Sequence, residues 1–113
     1  MQVGDAMIRH RVTDLDAAVR FYEALTGQSA KRFGYSGADL TAVGPFLLFA
    51  ADGEVGDRLA RVVATIAVSD IETCAGRLRA LGAEIIAPPA ATPNGHRLIA
   101  RHADGGVFEY TGP

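Results

Sequence analysis

Cysteine is nearly missing from this chain of 113 residues, where Cys74 stands alone. It cannot form an internal disulfide, and one cysteine supports no cysteine-based zinc site, so a reduced, cytoplasmic protein is expected. Long apolar runs are missing as well. The longest, such as Pro45–Ala51, fall far short of the roughly 20 residues that a membrane span needs. The opening MQVGDAMIRH lacks the basic-then-apolar layout of a secretory signal. Positive charge is not in excess: eleven basic against thirteen acidic residues leave −2 at pH 7. A general nucleic-acid binder shows a basic face or tail, so neither nucleic acid nor membrane is expected as a partner. The short cluster Arg9-His10-Arg11 reads as a wet strand edge. No GxGxxG, Walker or G-x-S-x-G motif occurs, which removes the usual phosphate-cradling and serine-nucleophile readings. What is present, 49% apolar residues with 21% charged, suits one globular domain over residues 1–113.

The chain repeats itself. Val12-Thr13-Asp14-Leu15-Asp16-Ala17-Ala18 returns 56 residues later as Val68-Ser69-Asp70-Ile71-Glu72-Thr73-Cys74. Gly44-Pro45-Phe46-Leu47-Leu48-Phe49 aligns with Gly105-Gly106-Val107-Phe108-Glu109-Tyr110 at an offset of 61. A period this long exceeds that of the usual solenoid repeats and points to two half-domain copies. In each copy an alternating strand (Met7–Val12; Val62–Val68) leads to an Asp that can accept from the free N–H groups of a helix start. Leu15, Val19, Tyr22 and Leu25 then recur at helical spacing, as do Ile71, Ala75, Leu78 and Leu81, with Gly27 and Gly82 as stops. Further strands are expected near 30–35, 39–43 and 46–51, and near 84–87, 97–102 and 107–111. Ser36-Gly37, Gly44-Pro45, Pro88-Pro89, Pro93-Asn94-Gly95 and Asp104-Gly105-Gly106 mark turns. The polar, glycine-rich run from Asp52 to Asp57 reads as a linker between module one (about 5–52) and module two (about 60–112). The outline is β-α-β-β-β, twice.

This outline resembles the vicinal oxygen chelate superfamily of glyoxalases, bleomycin-resistance proteins and extradiol dioxygenases. The resemblance rests on the two strand-V-x-D-[LI]-[DE] helix starts, on Phe21-Tyr22 with Leu25 and Gly27, on Leu78-Arg79-Ala80-Leu81-Gly82-Ala83, and on the ending Ala103-Asp104-Gly105-Gly106-Val107-Phe108-Glu109-Tyr110. It implies an α+β fold in which two tandem βαβββ modules form a cup-shaped, eight-stranded mixed sheet around one ligand cavity, in a homodimer. It also implies four metal-ligand positions, which fall on Met7, Leu48, Val63 and Glu109. Three of these are apolar, and one carboxylate cannot hold a divalent metal against water, so no metal ligand and no cofactor is expected.

Other histidines give little relief. Alternation turns His10 toward the helices with Ile8 and Val12. His102 stands in the turn before the last strand, and His96 opens the seventh strand beside Arg97, where a loop role outweighs a catalytic one. Cys74 falls where a helix packs. Glu109 differs. With Phe108 and Tyr110 facing the helices, it faces the cup, where burial would raise its pKa unless a cation such as Arg9 pairs with it. The candidate ligand-binding set is Met7, Arg9, Phe46, Leu48, Val63, Thr65, Arg97, Ile99 and Glu109, with Glu109 also the catalytic candidate; Phe21 and Phe108 read as core. The leading expectation is metal-free binding of a small apolar or aromatic organic molecule, as in drug or metabolite sequestration. The alternatives are a glyoxalase-like or dioxygenase-like lyase, isomerase or oxygenase that holds a divalent metal through other ligands (His96 or His102 with Glu109), and metal-independent catalysis by Glu109.

Overall fold

Two aspartates start the two main helices as the repeat predicts. Asp14 accepts from the backbone N–H of Ala17 at 3.0 Å and opens α1 (Leu15–Thr26). Asp70 accepts from the backbone N–H of Thr73 at 3.1 Å and from its hydroxyl at 2.8 Å, opening α3 (Ile71–Ala80). Gly27 closes α1 at φ 69°, a left-handed conformation that glycine adopts without Cβ conflict. The computed structural model describes residues 1–35 and 37–113. Ser36, which the sequence puts in a turn with Gly37, lies outside them. No helix among the described residues is long and apolar enough to cross a membrane.

The chain divides into two units, Met7–Arg61 and Met1–Ala6 with Val62–Pro113. Among the described residues all eight expected strands are present, with three helices in an α+β arrangement, and β1 (Val3–Arg11) gives its opening residues to one unit and the rest to the other. In the unit of Met7–Arg61 the strands run β2 (Lys31–Tyr35), β3 (Ala38–Val43), β4 (Phe46–Phe49), β1, with β1 parallel to β4. In the other the order from β1 is β5 (Ala64–Val68), β8 (Val107–Gly112), β7 (Gly95–Arg101), β6 (Glu84–Thr92), with β5 parallel to β8. The sheet is therefore mixed. β6 runs through Pro88-Pro89, read from the sequence as a turn. It pairs only with β7, and register shifts between Ile85 and Ala90 absorb the two missing N–H donors.

In each unit one face of the sheet packs on a helix. Val12, Leu15, Ala18, Val19 and Tyr22 meet Val43, Phe46 and Leu48 beneath α1. Ile71, Cys74, Ala75 and Leu78 of α3 meet Val68, Leu98, Ala100 and Tyr110. Leu25 and Leu81, placed on these stripes by spacing, point outward instead, as does Phe21 at 61% exposure, where a core position was expected. Phe21 rests edge-on against Tyr22 at 5.0 Å.

The run from Asp52 to Asp57 is not a linker. Gly53–Ala60 forms a third helix, α2, whose Val55 and Leu59 stand one turn apart and close an apolar cluster with Ala38, Leu40, Leu47, Phe49 and Met7. In that unit both faces of the sheet are thus covered, one by α1 and one by α2.

Candidate functional site

The most distinctive group lies on the sheet face turned away from α3. Ile66, Leu98 and Tyr110 point toward α3, so their neighbours along β5, β7 and β8 point the other way. The registers place Thr65 opposite Glu109 and Ile99 opposite Glu109, with Arg97 opposite Thr111. Glu109 retains 8% of its exposure. Its Oε1 accepts from the Thr65 hydroxyl at 2.9 Å and its Oε2 from the Arg97 guanidinium at 3.0 Å. Burial of a carboxylate is tolerated when it is charge-paired and hydrogen-bonded, and this trio supplies both conditions from three adjacent strands. The cation that Glu109 holds within its own unit is Arg97; Arg9, the partner named from the sequence, donates to the Leu59 carbonyl in the other unit at 3.4 Å. Val63 lies just before β5, half exposed, with its N–H bonded to the Val107 carbonyl at 2.9 Å.

Two expected lining residues are corrected. Phe46 and Leu48 belong to the cluster beneath α1, on the face opposite Met7 and Arg9. The reason is a one-residue slip in the repeat alignment. Arg9 pairs with Leu47 as Thr65 pairs with Glu109, so the last strands correspond at an offset of 62, and Leu47 is the counterpart of Glu109. A shift of one residue sends a strand's side chains to the other face. The signal was in the sequence: at 62 Gly44 meets Gly106 and Phe46 meets Phe108. Met7 stays on the expected face, half-buried against the α2 cluster.

The remaining candidates fall elsewhere. His10 lies edge-on to Tyr22 at 6.1 Å, on the α1 side as alternation predicts. His102 stacks on Phe108 at 4.5 Å, and its Nε2 shares a 2.6 Å hydrogen bond with the Tyr110 hydroxyl, so it pins the β7–β8 turn rather than standing in solvent. His96 Nδ1 lies 3.1 Å from the Pro113 carbonyl oxygen, exposed. Burial pushes the Tyr110 phenol and the Cys74 thiol up, which leaves Cys74 an inert packing residue.

With the register corrected, the four positions named from the sequence fall on Met7 and Leu47 in one unit and on Val63 and Glu109 in the other, and the Glu109 carboxylate bonds to Arg97 and Thr65. Among the described residues no three His, Cys, Asp or Glu side chains gather where they could hold an ion.

The profile of the Glyoxalase/Bleomycin resistance protein/Dioxygenase superfamily matches residues 6–110. No curated protein matches the chain. Among solved structures, an uncharacterized protein from Methanosarcina mazei is 33% identical at TM-score 0.89, covering 99% of this chain and 94% of its own. A hypothetical protein from Bacillus halodurans is 14% identical at TM-score 0.77, covering 100% and 96%. Streptomyces coelicolor methylmalonyl-CoA epimerase, in complex with 2-nitronate-propionyl-CoA, is 19% identical at TM-score 0.71 and covers 94% of each chain. At these identities the last two likenesses concern the fold alone.

Proposed function

This chain belongs to the Glyoxalase/Bleomycin resistance protein/Dioxygenase superfamily, and from that premise we propose that it binds a small apolar or aromatic organic molecule without a metal, on the sheet face that carries Glu109. The observation that carries this reading is the buried Glu109 carboxylate, held by half-buried Thr65 and Arg97 beside aliphatic Ile99 and Val63, on a face that no helix of its own unit covers. Binding sites for organic molecules combine a mostly apolar wall with a few placed polar groups. Here the wall gives affinity through burial and the trio gives orientation. Arg97 meets an acidic or carbonyl group of the ligand, and Glu109, held in place by Thr65, meets an amine or hydroxyl. The protein acts as a homodimer in the cytoplasm.

A second reading, Glu109 as a lone general base, draws on the sequestered position of this carboxylate, because a base kept from bulk water and aimed at a bound molecule can take a proton from it. The test is a titration of the chelator-treated protein with Mn²⁺, Fe²⁺, Ni²⁺ and Zn²⁺, followed by assay of each bound organic compound for turnover. Metal-free binding with the compound recovered unchanged is the expected result. Conversion lost in Glu109→Gln would favour the base. One metal per chain held at micromolar concentration, and lost in Glu109→Ala, would overturn both readings.

A further inference from the structure

We infer that the outward face of α1 is the surface through which two copies of this chain pair, their α1 helices lying antiparallel about a two-fold axis that passes between Arg20 and Phe21. This rests on the homodimer proposed above, names the surface that makes it, and is independent of what the Glu109 face binds.

α1 is apolar on two sides. Leu15, Val19 and Tyr22 face the sheet. Ala17, Phe21, Ala24 and Leu25, three and four residues apart, line the other side and are exposed, Phe21 at 61% and Leu25 at 63%. A helix face left to water carries polar side chains, so a second apolar stripe marks a surface that something covers. The repeat supplies its own control. At the offset of 56, Phe21 corresponds to Arg77 and Ala17 to Thr73, and α3 presents Glu72, Arg77 and Arg79 to solvent where α1 presents an aromatic ring. Leu25 has an exposed counterpart in Leu81, so the difference lies at Ala17 and Phe21. The acids of α1 are engaged within the unit: Asp16 with Arg32 at 2.7 Å, and Glu23 with the Ala30 N–H at 2.8 Å. Phe21 lies edge-on to Tyr22, and Tyr22 lies against Phe46 at 4.5 Å. Ile8, the strand partner of Phe46, is 51% exposed and carries the patch on to β1.

The occupant is a second copy because this stripe complements itself. About a centre between Arg20 and Phe21, antiparallel pairing sets Ala17 against Ala24 of the second copy and Phe21 against its Arg20, and the two-fold repeats both contacts. Small residues facing small ones let the helix axes approach to about 8 Å, the close end of helix packing. Each guanidinium then falls over the other copy's aromatic ring, whose π face attracts a cation. A parallel pair would instead set Arg20 against Arg20, like charge on like. A membrane surface is a poorer match, since an interfacial helix is rich in basic residues on its polar side and α1 carries Arg20 alone.

The test uses the full chain in sedimentation equilibrium over a concentration series. A monomer–dimer equilibrium is expected, with the dimer weakened at least about tenfold in Phe21→Ser, a change at an exposed site that leaves the core alone. Disulfide trapping reads the register. An oxidised equimolar mixture of Ala17→Cys and Ala24→Cys should give a cross-linked dimer. Ala17→Cys alone should not, because the two-fold holds its two sulfurs about 10 Å apart along the helix axes. Cys74 is buried and stays out of the reaction. Should Phe21→Ser not fold, the mixture stands alone as the test. A dimer undiminished in Phe21→Ser, or a mixture that cross-links no better than either variant alone, would overturn the inference and leave the homodimer reading standing. A wild-type chain that stays monomeric at every concentration would overturn both.

Discussion

The two units run through the same β-α-β-β-β plan and fill corresponding places with opposite chemistry. Where one sets Thr65 opposite Glu109, the other sets Arg9 opposite Leu47. The first keeps a carboxylate buried by pairing it with Arg97 and a hydroxyl. The second keeps an aliphatic face buried by folding α2 onto it. The backbone repeat therefore dictates where a side chain stands but not what it does. A buried charge needs partners from neighbouring strands, and a buried apolar face needs only something to exclude water.

The largest effect is expected from making the first unit resemble the second. Glu109→Leu removes a carboxylate bonded to Arg97 and Thr65 and is expected to cost about 3 kcal/mol in denaturant unfolding. Adding Arg97→Met should recover part of that loss, because a charge that had paired with Glu109 goes with it. A double variant as unstable as Glu109→Leu would mean that the ion pair is not what matters there.

The next test separates the two faces of the second unit. Leu48 and Leu59 are almost equally buried, at 0% and 3% exposure, the one beneath α1 and the other on α2. Leu48→Ala should cost about 3 kcal/mol, as ordinary core truncations do. Leu59→Ala should cost about as much, since Leu59 closes the cluster of Leu40, Leu47 and Phe49 on the other face. A cost far below that of Leu48→Ala would mean that α2 adds little to the core.

Where the units agree, variants should agree too. Asp14→Ala and Asp70→Ala each remove a side-chain cap and should each lower stability by about 1 kcal/mol. The smallest effect is acid dependence. The Arg32 hydrogen bond holds the Asp16 carboxyl below its ordinary range, and the Thr73 backbone N–H does the same for Asp70. A lowered native pKa adds stability above the ordinary value and loses it as pH falls through the native one. Urea midpoints should therefore drop below about pH 4, and less steeply in Asp16→Asn and Asp70→Asn.

Most of the fold was legible in the sequence because its signals are local. The V-x-D helix starts, the glycine stops and the alternation of β8 each need a few neighbouring residues, and each holds. Glu109 was legible for the same reason, since Phe108 and Tyr110 mark the other face. Three features were not. The facing of β4 turns on a one-residue choice of offset that only the pairing of Arg9 with Leu47 decides. Helix α2 hides in a glycine-rich stretch because tertiary contacts, among them Leu59 in its apolar cluster and Arg11 bonded to Asp57 and the Ala51 carbonyl, stabilise it rather than propensity. Arg97 is a partner of Glu109 through the register of β7 against β8, which no pattern in the seventh strand encodes.

The reading we propose, that Glu109 with Thr65 and Arg97 orients an organic ligand on its own sheet face, can be tested directly. The most direct measurement is a ¹⁵N-edited NMR titration of chelator-treated protein with small aromatic amines and aromatic acids, repeated in Glu109→Gln. Saturable shifts are expected at Thr65, Arg97, Ile99 and Glu109, with affinity weakened at least about tenfold in the variant. Compounds that bind elsewhere, or that bind this face equally well in wild type and variant, would contradict it.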